Sequence, residues 1–168
     1  MIRGKFLSSM DDCAPVFDIR YRVFCEEQGF SRETEIDACD QMAIYALAYD
    51  ADGNPAGTGR LCIKDDRFSI GRVCVLKHAR GQGLGDLILR MLLYRAQELN
   101  APEVYLESQL PAVDFYRRFG FEPMGEVFLD EGVAHRRMKV SAQDIRLEGS
   151  CQSGKHCSDC QKNCRDCT

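Results

Sequence analysis

The chain has 168 residues, 45% hydrophobic and 29% charged, which is one domain's worth of polypeptide with enough apolar content to bury a core. That excludes intrinsic disorder, fibrous repeats and two full catalytic domains, and 22 Lys and Arg against 26 Asp and Glu give a net charge of −4, the wrong sign for a phosphate-backbone binder, so no nucleic acid partner is expected. No run approaches the roughly 18 consecutive apolar residues of a membrane span, and residues 1–6 lack an apolar signal region, so no membrane partner is expected and the expected location is cytoplasmic.

Residues 2–7 are compatible with an opening strand. Asp11 or Asp12 then offers an N-cap to a helical region running towards Glu27, with Val16, Ile19 and Val23 at helical spacing. Residues 29–40 are polar, acidic and aperiodic, the pattern of a loop or short broken helix. Apolar runs at 43–49 and 57–63 flank Asp50-Ala51-Asp52-Gly53-Asn54-Pro55, a dense set of turn formers, and predict a β-hairpin. A third run at 68–76 extends it into an antiparallel meander.

The period then changes. Leu84, Leu87, Ile88, Met91, Leu92 and Leu99 fall on one face of a helix that ends near Asn100 and Pro102. Residues 103–107 hold a short strand, and Pro111 suits the first position of a helix carrying Ala112, Phe115, Tyr116 and Phe119, which Gly120 stops. Runs at 124–129 and 133–140 flank Asp130-Glu131-Gly132 as a closing hairpin. The expected organisation is an α/β domain over 1–140, a polar connector over 141–150 and a separate cysteine-rich tail over 151–168.

The sharpest local feature is Val73-Cys74-Val75 followed by Leu76-Lys77-His78-Ala79-Arg80-Gly81-Gln82-Gly83-Leu84-Gly85, a strand running through a glycine-rich turn into the amphipathic helix. Glycines let backbone approach a ligand, and the unpaired N–H groups of a first helical turn favour an anion such as pyrophosphate. The loop is not a Walker A, because no Gly-Lys-Ser/Thr follows, nor a dinucleotide fingerprint, because Arg80 stands at the first glycine's place. Taken alone, the glycines also fit a tight strand-to-helix turn.

Arg80-x-x-Gly83-x-Gly85 in this setting resembles the acetyl-CoA motif of the GNAT-type N-acetyltransferase superfamily, and the order of elements along the body is similar to that family's whole fold. The resemblance implies a mixed, mostly antiparallel central sheet with flanking helices, whose splayed fourth and fifth strands admit the pantetheine arm of acetyl-CoA beside Val73, Cys74 and Val75. It implies that Arg80, Gly81, Gln82, Gly83, Leu84 and Gly85 hold the pyrophosphate. A second signature, Gln109-x-x-Ala112-x-x-x-Tyr116-x-x-x-Gly120-Phe121, puts Tyr116 near the cofactor sulfur as a general acid; Gln109 stands where many members have a cofactor-touching Asn. On spacing alone, Tyr116 also fits an aromatic packed into the core.

The implied reaction is attack of a primary amine on the thioester carbonyl, which needs a base for the amine and a proton for the departing sulfur. The base candidates are Glu27, Glu107 and Glu33, with His135 behind them. Within the superfamily the chain looks most like the ElaA-type branch, on Arg22-Val23-Phe24-Cys25-Glu26-Glu27-Gln28, on Glu35-Ile36-Asp37 with Asp40, and on the segment from Gly125 to His135 and Met138. Arg20-x-x-Val23-Phe24, Glu35-x-Asp37-x-x-Asp40, Tyr45 and Gly59-Arg60-Leu61 also look like the acyl-homoserine lactone synthases, which share a related fold; the glycine loop favours a CoA donor. The acids Glu27, Glu33, Glu35, Asp37 and Asp40 are the material for a negative acceptor pocket suited to a cationic amine, or for a solvated acidic loop.

The tail carries Cys151-x5-Cys157-x2-Cys160-x3-Cys164-x2-Cys167. Cys157, Cys160, Cys164 and Cys167 supply four thiolates in two Cys-x-x-Cys pairs, enough for tetrahedral Zn²⁺, with Cys151 and His156 as spare ligands. The gap between the pairs is shorter than in common zinc ribbons, so a compact metal–thiolate tail is expected, with an iron–sulfur cluster, disulfides or free thiols as alternatives. Cys62 and Cys74, in strands, read as small core hydrophobes. The expectation is therefore an acetyl-CoA-dependent N-acyltransferase with a metal-binding appendage, set against a metal-sensing module on a lapsed acyltransferase scaffold.

Overall fold

The structure is a computed structural model and describes residues 1–148. Seven strands, β1 (Arg3–Ser8), β2 (Ile44–Tyr49), β3 (Pro55–Lys64), β4 (Arg67–Val75), β5 (Glu103–Gln109), β6 (Glu122–Asp130) and β7 (Val133–Ser141), form one sheet in the order β1-β2-β3-β4-β5-β7-β6. Every neighbouring pair is antiparallel except β4 and β5, which run parallel. That exception follows from the connection: a crossover through a long helix can return the chain only in the same direction.

The long helix is α3 (Leu84–Glu98), whose Leu84, Ile88, Leu89, Leu92 and Leu93 are fully buried against Leu61, Ile70, Val104, Leu106 and Met138. Each such side chain contributes about 1.5–3 kcal/mol when taken out of water, so α3 is pinned to the sheet along its whole length. It also sits close to it. A Cβ at Gly59 would come within 2.8 Å of Ile88 Cγ2 and 3.0 Å of Leu92 Cδ1, so only glycine there lets helix and strand approach.

On the opposite face α1 (Ala14–Arg20) places Val16 and Ile19 on Tyr45, Leu47, Cys62 and Cys74. The N-cap is Cys13, not the expected Asp11 or Asp12, and no side chain caps the helix; Asp12, one residue earlier, accepts the Ala14 N–H at 3.0 Å. The helical region predicted to reach Glu27 does so, but Tyr21–Glu27 is a wider π-helical stretch in which the Gln28 N–H reaches back to the Val23 carbonyl. Hydrophobic spacing carries no mark of that change. The predicted broken helix resolves into α2 (Arg32–Glu35) and a 3₁₀ turn, Ala38–Gln41.

Pro111 falls in a 3₁₀ turn, Leu110–Ala112, that leads into α4 (Val113–Arg117). The connector expected after residue 140 differs in its described part. Ile145 and Leu147 pack on the α3-side core, and the Arg146 N–H donates to the Phe119 carbonyl at 3.0 Å, so residues 142–148 belong to the body.

The break that makes the site lies between β4 and β5. They pair only at Phe68↔Val104 and Ser69↔Tyr105 and then part. Just past that point β4 carries a bulge: β3 pairs Thr58 with Cys74 but Arg60 with Gly71, so β4 has one residue more, and Arg72 there adopts φ 53°. A non-glycine residue holds that conformation only when its surroundings fix it. Here the Arg72 guanidinium donates to the Glu35 and Thr34 carbonyls at 3.1 and 3.2 Å. The bulge bends β4 away from β5 and turns the strand pair into the walls of a cleft.

Candidate active site

The cleft has a volume of about 530 Å³. Val73, Cys74 and Val75 of β4 form one wall, Glu107, Ser108 and Gln109 of β5 another, and Phe115 and Tyr116 of α4 a third. Val23, Phe24 and Gln28 close it from the π-helical side. Among the predicted residues, Val73, Cys74, Val75, Arg80, Gln109, Glu107 and Tyr116 are thus brought together; Glu27 and residues 81–85 lie outside the lining itself.

The loop has the backbone an anion site needs. Gly81 and Gly83 both sit at φ 81°, a left-handed conformation open to glycine, and Gly83 is the N-cap of α3. The first helical bond is from the Leu87 N–H to the Gly83 carbonyl at 3.0 Å, so the amides of Leu84, Gly85 and Asp86 precede it. Buried Leu84 anchors the turn while Gly81, Gln82 and Gly83 are exposed, with open space over Gly81. Unspent N–H groups, the positive end of a 15-residue helix dipole and room above them suit a pyrophosphate.

The Arg80 side chain, in contrast, does not point freely outward. Its Nη atoms donate to both Glu27 carboxylate oxygens at 2.7 Å, and its Nε donates to the Val75 carbonyl at 3.0 Å. The Arg80 guanidinium holds the Glu27 carboxyl below its usual range. A carboxylate so held is a poor proton acceptor, and Glu27 acts as a clasp between the π-helical segment and the loop. Glu107 lines the cleft but pairs with Arg137 at 3.2 Å, and Glu33 is exposed and outside it. Gln109 donates from Nε2 to Gln28 Oε1 at 2.9 Å, so its amide spans the cleft.

Tyr116 is half-buried, edge-on to Phe115 and Phe121 at centroid distances of 5.1 and 6.1 Å. Burial, with a smaller contribution from the nearby Cys74, raises its phenol above the ordinary value, so it keeps its proton at neutral pH and can serve as an acid rather than a base. Burial likewise pushes the Cys74 thiol up to about 12, which leaves it protonated and inert.

The acids of residues 33–40 do not form a negative pocket. Arg20, completely buried, bonds Glu35 through Nε and Asp40 through Nη1 at 2.6 Å. Arg60 holds Asp37 at 2.7 Å through both Nη atoms and Asp40 at 2.8 Å, and Arg72 reaches Asp37 at 3.4 Å. Three guanidinium groups thus neutralise Glu35, Asp37 and Asp40 in place. Arg20, Arg60 and the acids were marked in the sequence through one resemblance, but Arg72 was not, and no local pattern shows that the three arginines, on α1, β3 and β4, pair with these acids. The β4 bulge and the setting of His135 were equally invisible, since both depend on strand register.

Among the described residues, no group of three or more His, Cys, Asp or Glu side chains is placed to hold a metal, and no helix is long and apolar enough to cross a membrane. Cys157, Cys160, Cys164 and Cys167 lie outside the described residues.

Parted parallel strands with a helix-start anion loop at their end define an acyltransferase cleft, and known proteins bear this out. Residues 22–142 match the acetyltransferase (GNAT) domain, and the chain belongs to that family. It is 36% identical over 123 residues to the uncharacterized N-acetyltransferase YjcF of Bacillus subtilis, a match spanning 73% of this chain and 87% of the relative. Among solved structures, Escherichia coli ElaA superposes with a TM-score of 0.74 at 26% identity, over 84% of this chain and 100% of ElaA. An acyl-CoA N-acyltransferase from Pseudomonas aeruginosa gives the same TM-score, 0.74, at 26% identity and the same coverage, 84% and 100%.

Proposed function

We propose that the protein transfers an acetyl group from acetyl-CoA to a primary amine of a small molecule or protein by direct attack. The observation that carries this reading is a cleft between parted strands β4 and β5 that has Tyr116 on its wall, together with the unspent N–H groups at the start of α3 in the loop that follows β4. When bound, acetyl-CoA supplies an activated thioester carbonyl. Residues 81–86 hold its pyrophosphate through backbone amides, and the diverging edge at Val73, Cys74 and Val75 leaves strand amides to bind the pantetheine and steady the developing oxyanion. Tyr116 donates a hydrogen bond and then its proton to the sulfur as the C–S bond breaks.

Since Glu35, Asp37 and Asp40 are neutralised internally, they do not select a cationic acceptor, and neutral or anionic amines belong in any screen beside polyamines. The test is thiol release from acetyl-CoA against such a panel, with the acetylated amine identified by mass spectrometry. Turnover that drops about 100-fold or more in Tyr116→Phe supports the reading. Unchanged turnover removes Tyr116 as the donor, and acylation only from an acyl-carrier protein would favour a synthase of the acyl-homoserine lactone kind. For the tail we propose Zn²⁺ held by Cys157, Cys160, Cys164 and Cys167, on the donor count of its two Cys-x-x-Cys pairs.

A further inference from the structure

With Glu27 clasped to Arg80, Glu107 paired to Arg137 and Glu33 outside the cleft, the proton acceptor for the amine is still to be found. His135 of β7 lies opposite Gln109 of β5 and Phe128 of β6. It is 7% exposed, and it lines both the acyl cleft and an adjoining polar groove of about 210 Å³ over β3, β4, β5 and β7. That groove, with Ser69, Tyr105 and Arg137 on its floor, enters the cleft from the sheet face opposite α3.

The ring is fixed on three sides. Phe128 stacks on it at 5.8 Å between centroids and 26° between planes, and Phe30 meets it edge-on at 6.5 Å. Nδ1 lies 2.8 Å from the Val133 carbonyl oxygen. A carbonyl oxygen only accepts, so Nδ1 carries the hydrogen and Nε2 of the neutral ring presents a lone pair. Nε2 has no hydrogen-bond partner among the described residues. A ring held in one tautomer, with its basic nitrogen unspent at the junction of two cavities, is the geometry of a general base.

We propose that His135 is the general base of the acyl transfer, accepting the amine proton at Nε2, with the acceptor entering along that groove. This rests on the acyltransferase reading above. As the N–C bond forms and the C–S bond breaks, the amine proton passes to Nε2 and the sulfur leaves with the Tyr116 proton. The imidazolium proton then returns through water to the phenolate, so one amide and one thiol result. The charged groups sharing the cleft with the ring are Glu107 on β5, Asp130 and Glu131 at the β6–β7 turn, and Glu35, Arg72 and Arg80 across it; the groove adds Asp37, Arg60, Lys64, Asp65, Arg67 and Arg137.

The test is His135→Asn in the full chain. The asparagine amide N–H stands at the place of Nδ1 and keeps a donor for the Val133 carbonyl, while the basic nitrogen is removed. With the amine that the wild type acetylates best, kcat is expected to fall about 100-fold or more, while the thermal shift produced by acetyl-CoA stays as in the wild type. Added imidazole should restore part of the variant's kcat and leave the wild type's unchanged, which a merely structural loss would not show. A kcat within about threefold of wild type overturns the assignment and leaves the acyltransferase reading standing. Should the variant fail to fold, His135→Gln read in the same way takes its place, and a kcat within about threefold of wild type there overturns the assignment. A wild type that acetylates no amine overturns both.

Discussion

Arg20→Met tests the neutral ion cluster beneath the acceptor side. Arg20 is completely buried and makes four hydrogen bonds, to Glu35 Oε1, to the Glu35 carbonyl at 2.7 Å and to the Asp40 carboxylate at 2.6 and 3.1 Å. Methionine fills comparable space but leaves Glu35, Asp37 and Asp40 facing only Arg60 and Arg72. Breaking a buried pair on one side costs about 3–5 kcal/mol; because Arg60 still holds Asp40 at 2.8 Å, the low end, about 3 kcal/mol, is expected. At about 2–4 °C per kcal/mol for a chain of this size, the melting temperature should fall by about 6–12 °C.

The pH dependence adds a sharper signature. Burial alone would raise the Asp40 carboxyl, but bonds from Arg20, the Asp37 backbone N–H and Arg60 outweigh it and hold it well below the usual range. A depressed folded-state pKa gives stability that is present above the unfolded value, about 3.9, and lost as the pH falls towards the folded one. Without Arg20 that depression is smaller, since only the Asp37 backbone N–H and Arg60 remain to hold the carboxyl down. The gap between wild type and variant should therefore be widest near neutral pH and narrow below about pH 4. Urea melts at a series of pH values measure it. A loss under about 1 kcal/mol at neutral pH, or a gap independent of pH, would refute the assignment of these acids to structure.

Glu27→Gln separates clasp from base. With the paired side chains 42% and 35% exposed, the ion pair contributes under about 1 kcal/mol, so the melt should barely move and turnover should survive; a 100-fold fall in kcat would restore Glu27 as the base. Ending the chain after Glu148 should abolish zinc content, read by elemental analysis, while leaving acetyl-CoA binding intact. Equal metal in the shortened protein would exclude the tail as the site.

The meander, α3 and the loop were legible because their signals are local. Five apolar residues at helical spacing, from Leu84 to Leu92, fall in α3, with Leu99 just past its end and exposed, and the glycines before it mark the turn. The first hairpin of the meander followed from turn formers at 50–55, while the mixed sheet came only from the resemblance. What escaped depends on atoms distant in sequence. The π-helical stretch over Tyr21–Glu27 has the same apolar spacing as an α-helix, and Ile145 and Leu147 are too few to announce a packed segment. Glu27 looked like a free carboxylate until Arg80, 53 residues away, was placed beside it. The acids of 35–40 suggested an acceptor pocket because a sequence displays charge but not its partner. His135 gains its fixed tautomer only from the register that sets Phe128 and the Val133 carbonyl around it.

The central claim is that the cleft between β4 and β5 binds acetyl-CoA, and thermal unfolding with and without the ligand measures it directly. At about 100 times its dissociation constant the ligand should add about 2.7 kcal/mol, a rise of about 5–11 °C in melting temperature. No rise with acetyl-CoA or with longer acyl-CoAs would contradict the claim.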